Sequence, residues 1–150
     1  MTVRAVLIAA ATALLGAAVS AGSADATPAD GDVVRTDVAK GVTDAPVAIN
    51  TGGEETAFYV QNLLLRPTAS SGWHTHPGPE FSVVTTGTVE LQTGADCALT
   101  RYGQGQAVFI PAGVPHRVAN SSAGDAEVVV TYTVPVDAAV RGDSPDVCEK

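Results

Sequence analysis

The chain is poor in several of the residues from which functional sites are built. Of its 150 residues only three are histidine, two cysteine, one methionine and one tryptophan, and eight are lysine or arginine. These few cations do not cluster, and phosphate binding needs grouped Lys and Arg, so the sequence argues against nucleic acid as a partner. Sixteen acidic residues give a formal net charge of −8, which also disfavours anionic membrane surfaces.

A long hydrophobic run is missing as well. The longest one, 5–19, is rich in alanine and is shorter than the roughly 20 residues that span a bilayer. It follows one cation, Arg4, and leads to the small residues 24–26, which is the layout of a secretory signal peptide. We therefore expect residues 1–26 to be removed, with 22–24 as the alternative cleavage site. The mature protein is then secreted and free of the membrane.

The two cysteines, Cys97 and Cys148, agree with export. An even number of cysteines in a secreted chain of this size commonly forms disulfides. A bridge between them would close a loop of about 51 residues and tie the C-terminal tail to the middle of the domain. The alternative is a pair of free thiols, and we favour the disulfide on the strength of the compartment alone.

Short runs rich in Val, Thr, Phe and Tyr follow one another between residues 56 and 135, with Gly and Pro turn signals between them. Such spacing predicts an antiparallel all-β sandwich or barrel. We expect a leader segment at 27–54, the barrel at 55–135 and a tail at 136–150. Alternation is clearest in the last run, where one face carries Val128, Val130, Tyr132 and Val134.

Two of the three histidines lie in the stretch GWHTHPGPE, residues 72–80. In a strand, side chains alternate between faces, so His74 and His76 point the same way. The Pro-Gly-Pro bend at 77–79 then brings Glu80 back beside the two rings. Imidazole nitrogens and a carboxylate oxygen on rigid strands suit a divalent metal such as Fe, Mn, Co, Ni, Cu or Zn.

The third histidine lies in GQAVFIPAGVPHRVAN, residues 105–120, and it extends the pattern. This stretch and the HxHxxxE of 74–80 resemble the two signature motifs of the cupin superfamily. Thr68 stands where the first motif usually has its leading glycine. The positions that match are His74, His76, Glu80 and Gly87 in the first motif and Gly105, Pro111, Gly113, His116 and Asn120 in the second.

The resemblance implies a double-stranded β-helix, or jelly-roll, cupin barrel of the small single-domain type. It further implies a bound divalent transition metal (Mn, Fe, Cu, Ni or Zn) with the ligands His74, His76, Glu80 and His116. Glu80 is also the candidate catalytic residue, as a base that leaves the metal.

Strand parity adds expectations for the neighbouring side chains. Counting from Glu80, we expect Ser82, Val84 and Thr86 to point inward. Counting from His116, Arg117 points outward, and Trp73 faces away from the ligands. No lysine or arginine can be assigned to the pocket.

A divalent metal with three imidazoles and one carboxylate carries a net charge of +1 and keeps about two positions open. We therefore expect a secreted metal-binding cupin that acts as a metal-dependent dioxygenase, or as an isomerase or lyase, on a small oxygen-donor molecule. The alternative is a cupin that binds a metal or a small ligand without turnover, which the absence of further catalytic groups favours. A homodimer would cover exposed strand edges.

Overall fold

A computed structural model describes residues 36–50, 53 and 55–148, so the predicted signal peptide lies outside the described residues. Contacts divide the chain after Arg35, and all elements below belong to the unit that begins at Thr36. Across the described ranges the chain forms strands and no helix, and hence no helix that could cross a membrane. The strands are β1 (Thr56–Leu65), β2 (His74–Thr75), β3 (Glu80–Thr86), β4 (Thr88–Thr93), β5 (Leu99–Gly103), β6 (Ala107–Ile110), β7 (His116–Ala119), β8 (Ala126–Pro135) and β9 (Gly142–Asp143).

The strands form two antiparallel sheets. One has the order β1-β8-β3-β6 and the other the order β5-β4-β7-β2-β9. Apart from β4 and β5, neighbours in a sheet are not consecutive in the chain, so the chain passes repeatedly from one sheet to the other, as it does in a jelly roll. This confirms the predicted all-β, antiparallel fold.

Strand β8 supplies the centre of the hydrophobic core. It pairs with β1 on one side and with β3 on the other, and buried residues alternate with half-buried ones along all of its length. Complete burial of a valine side chain contributes about 1.5–3 kcal/mol, so this one face stabilises the fold strongly. It is the predicted face, with Val128, Val130, Tyr132 and Val134 all buried.

Strand β3 follows the predicted parity only in its first half. Ser82 and Val84 are buried as expected, but Thr86 is exposed, so the prediction that Thr86 points inward was wrong. The register of β3 against β8 shifts between Val84 and Thr86, and such an irregularity changes the phase of the alternation. Gly87 follows with φ +72°, and a Cβ there would lie 2.5 Å from the carbonyl oxygen of Asp125, so this turn requires glycine.

The C-terminal segment returns to the barrel. Cys97 and Cys148 form a disulfide, which confirms the predicted pairing. Upstream of this bridge, β9 pairs with β2, and the N–H of Ser144 donates a hydrogen bond to the carbonyl of Trp73 at 3.0 Å. The segment predicted as a tail therefore contributes a strand to the five-stranded sheet.

The leader segment also contacts the barrel within its described residues. Val42 bridges to Gln106 in parallel orientation, and its carbonyl accepts a hydrogen bond from Ala107 at 2.9 Å. The domain boundaries given above, at residues 26, 54 and 135, remain predictions.

The turn after β1 contains an unusual backbone conformation. Thr68, the residue that replaces the expected glycine, has φ +66° and an exposed side chain. This left-handed conformation is costly for a β-branched residue. The turn is held by Asn120, whose carbonyl accepts the N–H of Thr68 at 2.9 Å and whose side-chain amide donates to the carbonyl of Leu65 at 2.9 Å.

We predict that Thr68→Gly stabilises the protein. The left-handed conformation costs a non-glycine residue about 1–2 kcal/mol, and the substitution removes this cost. Glycine also makes the unfolded chain more flexible, which lowers the free energy of unfolding by about 0.5–1 kcal/mol. We therefore expect urea denaturation to show a free energy of unfolding that is higher by about 0.5–1 kcal/mol. The matched control is Thr100→Gly in β5, an exposed threonine in extended backbone, which should lose stability. A Thr68→Gly variant less stable than the parent would contradict this reading of the turn.

Candidate metal centre

Both sheets contribute to the candidate site. His74 of β2 and His116 of β7 are direct partners in the five-stranded sheet. Glu80 is the first residue of β3 in the four-stranded sheet, where it pairs with Tyr132 of β8. His76 follows directly after β2, so residues distant along the chain meet between the sheets.

The bend between His76 and Glu80 is packed against β8. A Cβ on Gly78 would overlap the backbone carbonyl of Thr133, and the N–H of Thr133 donates to the carbonyl of Pro79 at 3.2 Å. The carbonyl of His76 in turn accepts the N–H of Gly113 at 2.8 Å. The predicted Pro-Gly-Pro bend therefore fixes where β3 begins and brings the Glu80 carboxylate beside the rings.

The four side chains converge to nearly the dimensions of one coordination sphere. Each offers a ligand atom, and these atoms all lie within 4.8 Å of one another. Donors about 2.1 Å from a shared ion are about 3.0 Å apart when adjacent and about 4.2 Å apart when opposite in an octahedral arrangement. The structure thus brings together the four predicted residues, all of them buried: His74, His76, Glu80 and His116.

Each imidazole is oriented through its Nδ1 atom. The Nδ1 atoms lie 2.9 Å from the Gly72 carbonyl for His74, 2.5 Å from the Val140 carbonyl for His76 and 2.9 Å from the Val114 carbonyl for His116. A carbonyl oxygen can only accept, so each Nδ1 carries the proton. In the neutral rings the lone pair then lies on Nε2, as is typical of histidines that bind metal.

When the rings are neutral, no proton lies between the Nε2 atoms and the Glu80 carboxylate. Oε2 of Glu80 lies 3.2 Å from Nε2 of His76 and 3.3 Å from Nε2 of His116, but both nitrogens are buried and make no hydrogen bond within the described residues. An unprotonated imidazole nitrogen and a carboxylate oxygen are both acceptors, so they repel at this distance unless a cation lies between them. The donor set therefore fits a metal ion.

Comparison with known families identifies the fold. The family model for the cupin domain matches residues 63–132, which include all four candidate ligands. The chain belongs to the cupin superfamily. A search of curated proteins found no match.

Several solved structures have a similar fold. A cupin-like protein from Thermotoga maritima is 24% identical over 61% of this chain and 68% of its own, with a TM-score of 0.51. The DMSP lyase DddQ from Ruegeria pomeroyi is 22% identical over 61% of this chain, with a TM-score of 0.50. Oxalate decarboxylase from Bacillus subtilis is 19% identical over 57% of this chain, with a TM-score of 0.52. This cupin spans 44% of the Ruegeria chain and 23% of the Bacillus chain.

The surroundings of this cupin's candidate metal centre lower the pKa of both its carboxylic acid and one of its histidines. Burial lowers the pKa of His74 to about 4 against the hydrogen bond to the Gly72 carbonyl, which favours the protonated ring, and the positive charge of Arg141 acts in the same direction as burial. Burial alone would raise the pKa of Glu80, but the hydrogen bonds that His116 and His76 donate when they carry a proton on Nε2, together with that from Ser82, outweigh burial and lower the pKa to about 2. Ser82 Oγ donates to Oε1 of Glu80 at 2.5 Å, which leaves Oε2 for the imidazoles. An anionic carboxylate and a neutral imidazole are the forms that bind metal.

A cavity of about 160 Å³ opens onto the centre. The polar side chains of its wall that were not assigned to the site by sequence include Gln61, Tyr132 and Arg141. Burial and the charge of Glu80 raise the pKa of Tyr132, so its phenol stays protonated, and its ring centroid lies 4.4 Å from that of His76. The wall is completed by Leu63, Ser71, Val118 and Val140.

The sequence contains a signal that could have placed Tyr132 at the site, but none that could have placed Arg141 there. Tyr132 shares the buried face of β8, and pairing β8 with β3 would have placed it opposite Glu80. Arg141 lies beyond the last periodic strand, in the predicted tail, where no pattern indicates its direction. The expectation that no lysine or arginine reaches the pocket was therefore wrong, because the tail folds back onto β2.

The other parity expectations agree with the structure. Arg117 does not line the cavity, whereas its neighbour Val118 does. Trp73 is buried and is not part of the cavity wall, which agrees with the expectation that it faces away from the ligands.

We predict that acid destabilises the metal-free protein partly through His74. In the unfolded chain this ring takes up a proton near pH 6.5, whereas in the folded protein it resists protonation until about pH 4. The unfolded state therefore binds more protons, and the free energy of unfolding falls as the pH is lowered from 6.5 towards 4.

Urea denaturation in EDTA at a series of pH values measures this effect. The fall between pH 6.5 and 4 should be smaller for His74→Gln than for the parent protein, since the variant lacks the group that titrates. Parallel stability curves for the two proteins would show that His74 is not held neutral by its surroundings.

Proposed function

We propose that this cupin binds one divalent transition metal ion and uses it to catalyse a reaction of a small oxygen-donor molecule. The ligands are His74, His76, Glu80 and His116. The observation that carries the proposal is the convergence of buried Nε2 lone pairs on one carboxylate oxygen, with every Nδ1 proton already given to a backbone carbonyl. Neutral imidazole and carboxylate ligands suit Mn, Fe, Cu, Ni or Zn.

A bound ion of this kind would supply Lewis-acid or redox chemistry to a coordinated oxygen atom. The chain's own residues provide the surroundings of that chemistry. The apolar walls at Leu63, Val118 and Val140 limit the water that reaches the centre. Tyr132 keeps its proton, because burial and the Glu80 charge raise its pKa.

We assign Glu80 first to metal binding. Its low pKa and its hydrogen bond from Ser82 favour the anion that holds a cation. The catalytic role predicted for it, as a proton acceptor, requires Glu80 to leave the metal, and we retain that role as part of the proposal.

Two of the solved structures of similar fold are those of enzymes. The Ruegeria and Bacillus structures are those of a lyase and a decarboxylase, so the cupin fold supports both kinds of reaction. At their level of identity the likeness shows the fold alone, and the proposal for this chain depends on the residues of its own site.

We also propose that the protein works outside the cytoplasm. The Cys97–Cys148 disulfide is compatible with an oxidising compartment, and the composition of residues 1–26 is that of a signal peptide. An intact mass that begins at Thr27, measured on protein from the medium of its native host, would support export. A cytosolic chain that retains Met1 would contradict it.

We predict that metal affinity depends on the four residues as a unit. Titration calorimetry with Mn²⁺ or Zn²⁺ should show one ion per chain, and His116→Ala or Glu80→Gln should weaken binding at least about 100-fold. The control is Glu90→Gln, which removes a carboxylate that pairs with Arg101 on the surface and should leave the affinity unchanged. A parent protein that binds no ion, or a His116→Ala variant that binds as the parent does, would refute the site.

Turnover is tested separately from binding. Metal-loaded protein is incubated with a panel of small carboxylates, diketones and polyphenols while oxygen uptake and product formation are measured. We expect at least one substrate to react, and His76→Ala to abolish the reaction. Activity that survives His76→Ala would contradict a metal-dependent mechanism. Metal binding without any turnover would instead favour a protein that binds a metal or a small ligand and catalyses no reaction.

A further inference from the structure

Arg141 is held beside the candidate metal centre by backbone bonds on both sides. The carbonyl of Val140, the preceding residue, accepts the Nδ1 proton of His76 at 2.5 Å. The following residues, Gly142–Asp143, pair with Thr75 and His74 as strand β9. The backbone at Arg141 therefore has little freedom to move relative to the imidazoles.

The guanidinium is fixed as well. Nε and Nη2 donate to Oδ1 of Asp143, both at 3.1 Å, and Nη2 also donates to the carbonyl of Ser71 at 2.9 Å. Nη1 makes no hydrogen bond to any residue that the structure describes. The side chain of Asp143 is 89% exposed, so the surrounding water screens its pairing with Arg141, and Asp143 orients the guanidinium more than it neutralises it.

Arg141 gives the cavity a second positive site. Of the residues that line the cavity it is the one permanent cation, and its side chain is 37% exposed. Its charge acts at the centre, since it adds to the lowering of the pKa of His74 and offsets part of the rise in the pKa of Tyr132. With a divalent ion bound, the same cavity would hold two separated positive charges in a protein whose net charge is negative.

The cavity is small and otherwise largely apolar. Its volume of about 160 Å³ accommodates a small organic acid, and Leu63, Val118 and Val140 form much of its wall. Guanidinium groups bind carboxylates through charge-assisted hydrogen bonds, which are stronger than neutral ones. Two cationic sites in one small, partly apolar cavity are complementary to a short molecule that carries an anionic group at each end.

We propose that Arg141 binds a carboxylate of the substrate, so that the site selects small dianions with one carboxylate at the His/Glu metal centre and the second at Arg141. This inference names the substrate class of the proposed function and depends on it. Arg141 acts as a binding and specificity residue.

The test compares dicarboxylates with a monocarboxylate. Protein loaded with Mn²⁺ or Zn²⁺ and freed of excess metal is titrated with oxalate, malonate, succinate and acetate, because the three diacids differ in the separation of their carboxylates. We expect one diacid to bind at least about tenfold more tightly than acetate. Arg141→Gln should lower the affinity for that diacid about 10- to 100-fold and change the affinity for acetate less than about twofold.

The matched control is Arg101→Gln. Arg101 also directs Nε and Nη2 at one carboxylate oxygen, that of Glu90, at 2.9 and 2.8 Å, but it lies outside the cavity at the centre. Its replacement should leave diacid binding unchanged. Arg141→Lys keeps the positive charge but lacks the planar set of N–H donors of the guanidinium, so it should bind the diacid with intermediate affinity. This second variant keeps the test informative if Arg141→Gln fails to fold.

The outcomes separate this inference from the proposed function. If Arg141→Gln keeps its metal and binds every diacid as the parent does, or if the parent prefers no diacid to acetate, the role of Arg141 is wrong while the metal site stands. If the parent binds no metal, both fail.

Discussion

A buried carboxylate that faces imidazole lone pairs is the constraint on which this structure depends. Within the described ranges Glu80 is the one buried acidic side chain, and its Oε2 lies 3.2 and 3.3 Å from two Nε2 atoms. Leaving such a charge uncompensated in the interior costs several kcal/mol. The arrangement therefore requires a cation at its centre, either a proton or a metal ion. A metal ion satisfies every acceptor at once.

Three separate parts of the chain orient the rings. The Nδ1 protons are accepted by Gly72 before β2, by Val114 before β7 and by Val140 in the C-terminal segment. The first two acceptors lie two residues from their own histidine, whereas Val140 is 64 residues from His76. The C-terminal segment, tied down by the disulfide, thus completes the site as well as the sheet. Metal affinity and the integrity of this segment should be coupled.

The sequence predicts the fold and the four candidate ligands well because both depend on regular spacing. The alternation in β8 and the spacing of His74 and His76 are local patterns that can be recognised in the sequence. The resemblance of both motifs to those of the cupin superfamily then identified His116 as the remaining candidate ligand. What sequence could not supply arises from irregular structure. Thr86 does not point inward, because the register of β3 against β8 shifts beside it. Arg141 lines the cavity because it lies in a C-terminal segment whose sequence has no periodic pattern of hydrophobic residues. Irregular segments take their positions from tertiary contacts.

The most direct test of the central claim is a crystal structure of metal-loaded protein with anomalous data collected on both sides of the absorption edge of the metal. We expect one strong peak about 2.0–2.2 Å from Nε2 of His74, His76 and His116 and from the Glu80 carboxylate. No peak at this position in protein shown to contain the metal, or a peak that one of the imidazoles does not contact, would contradict it.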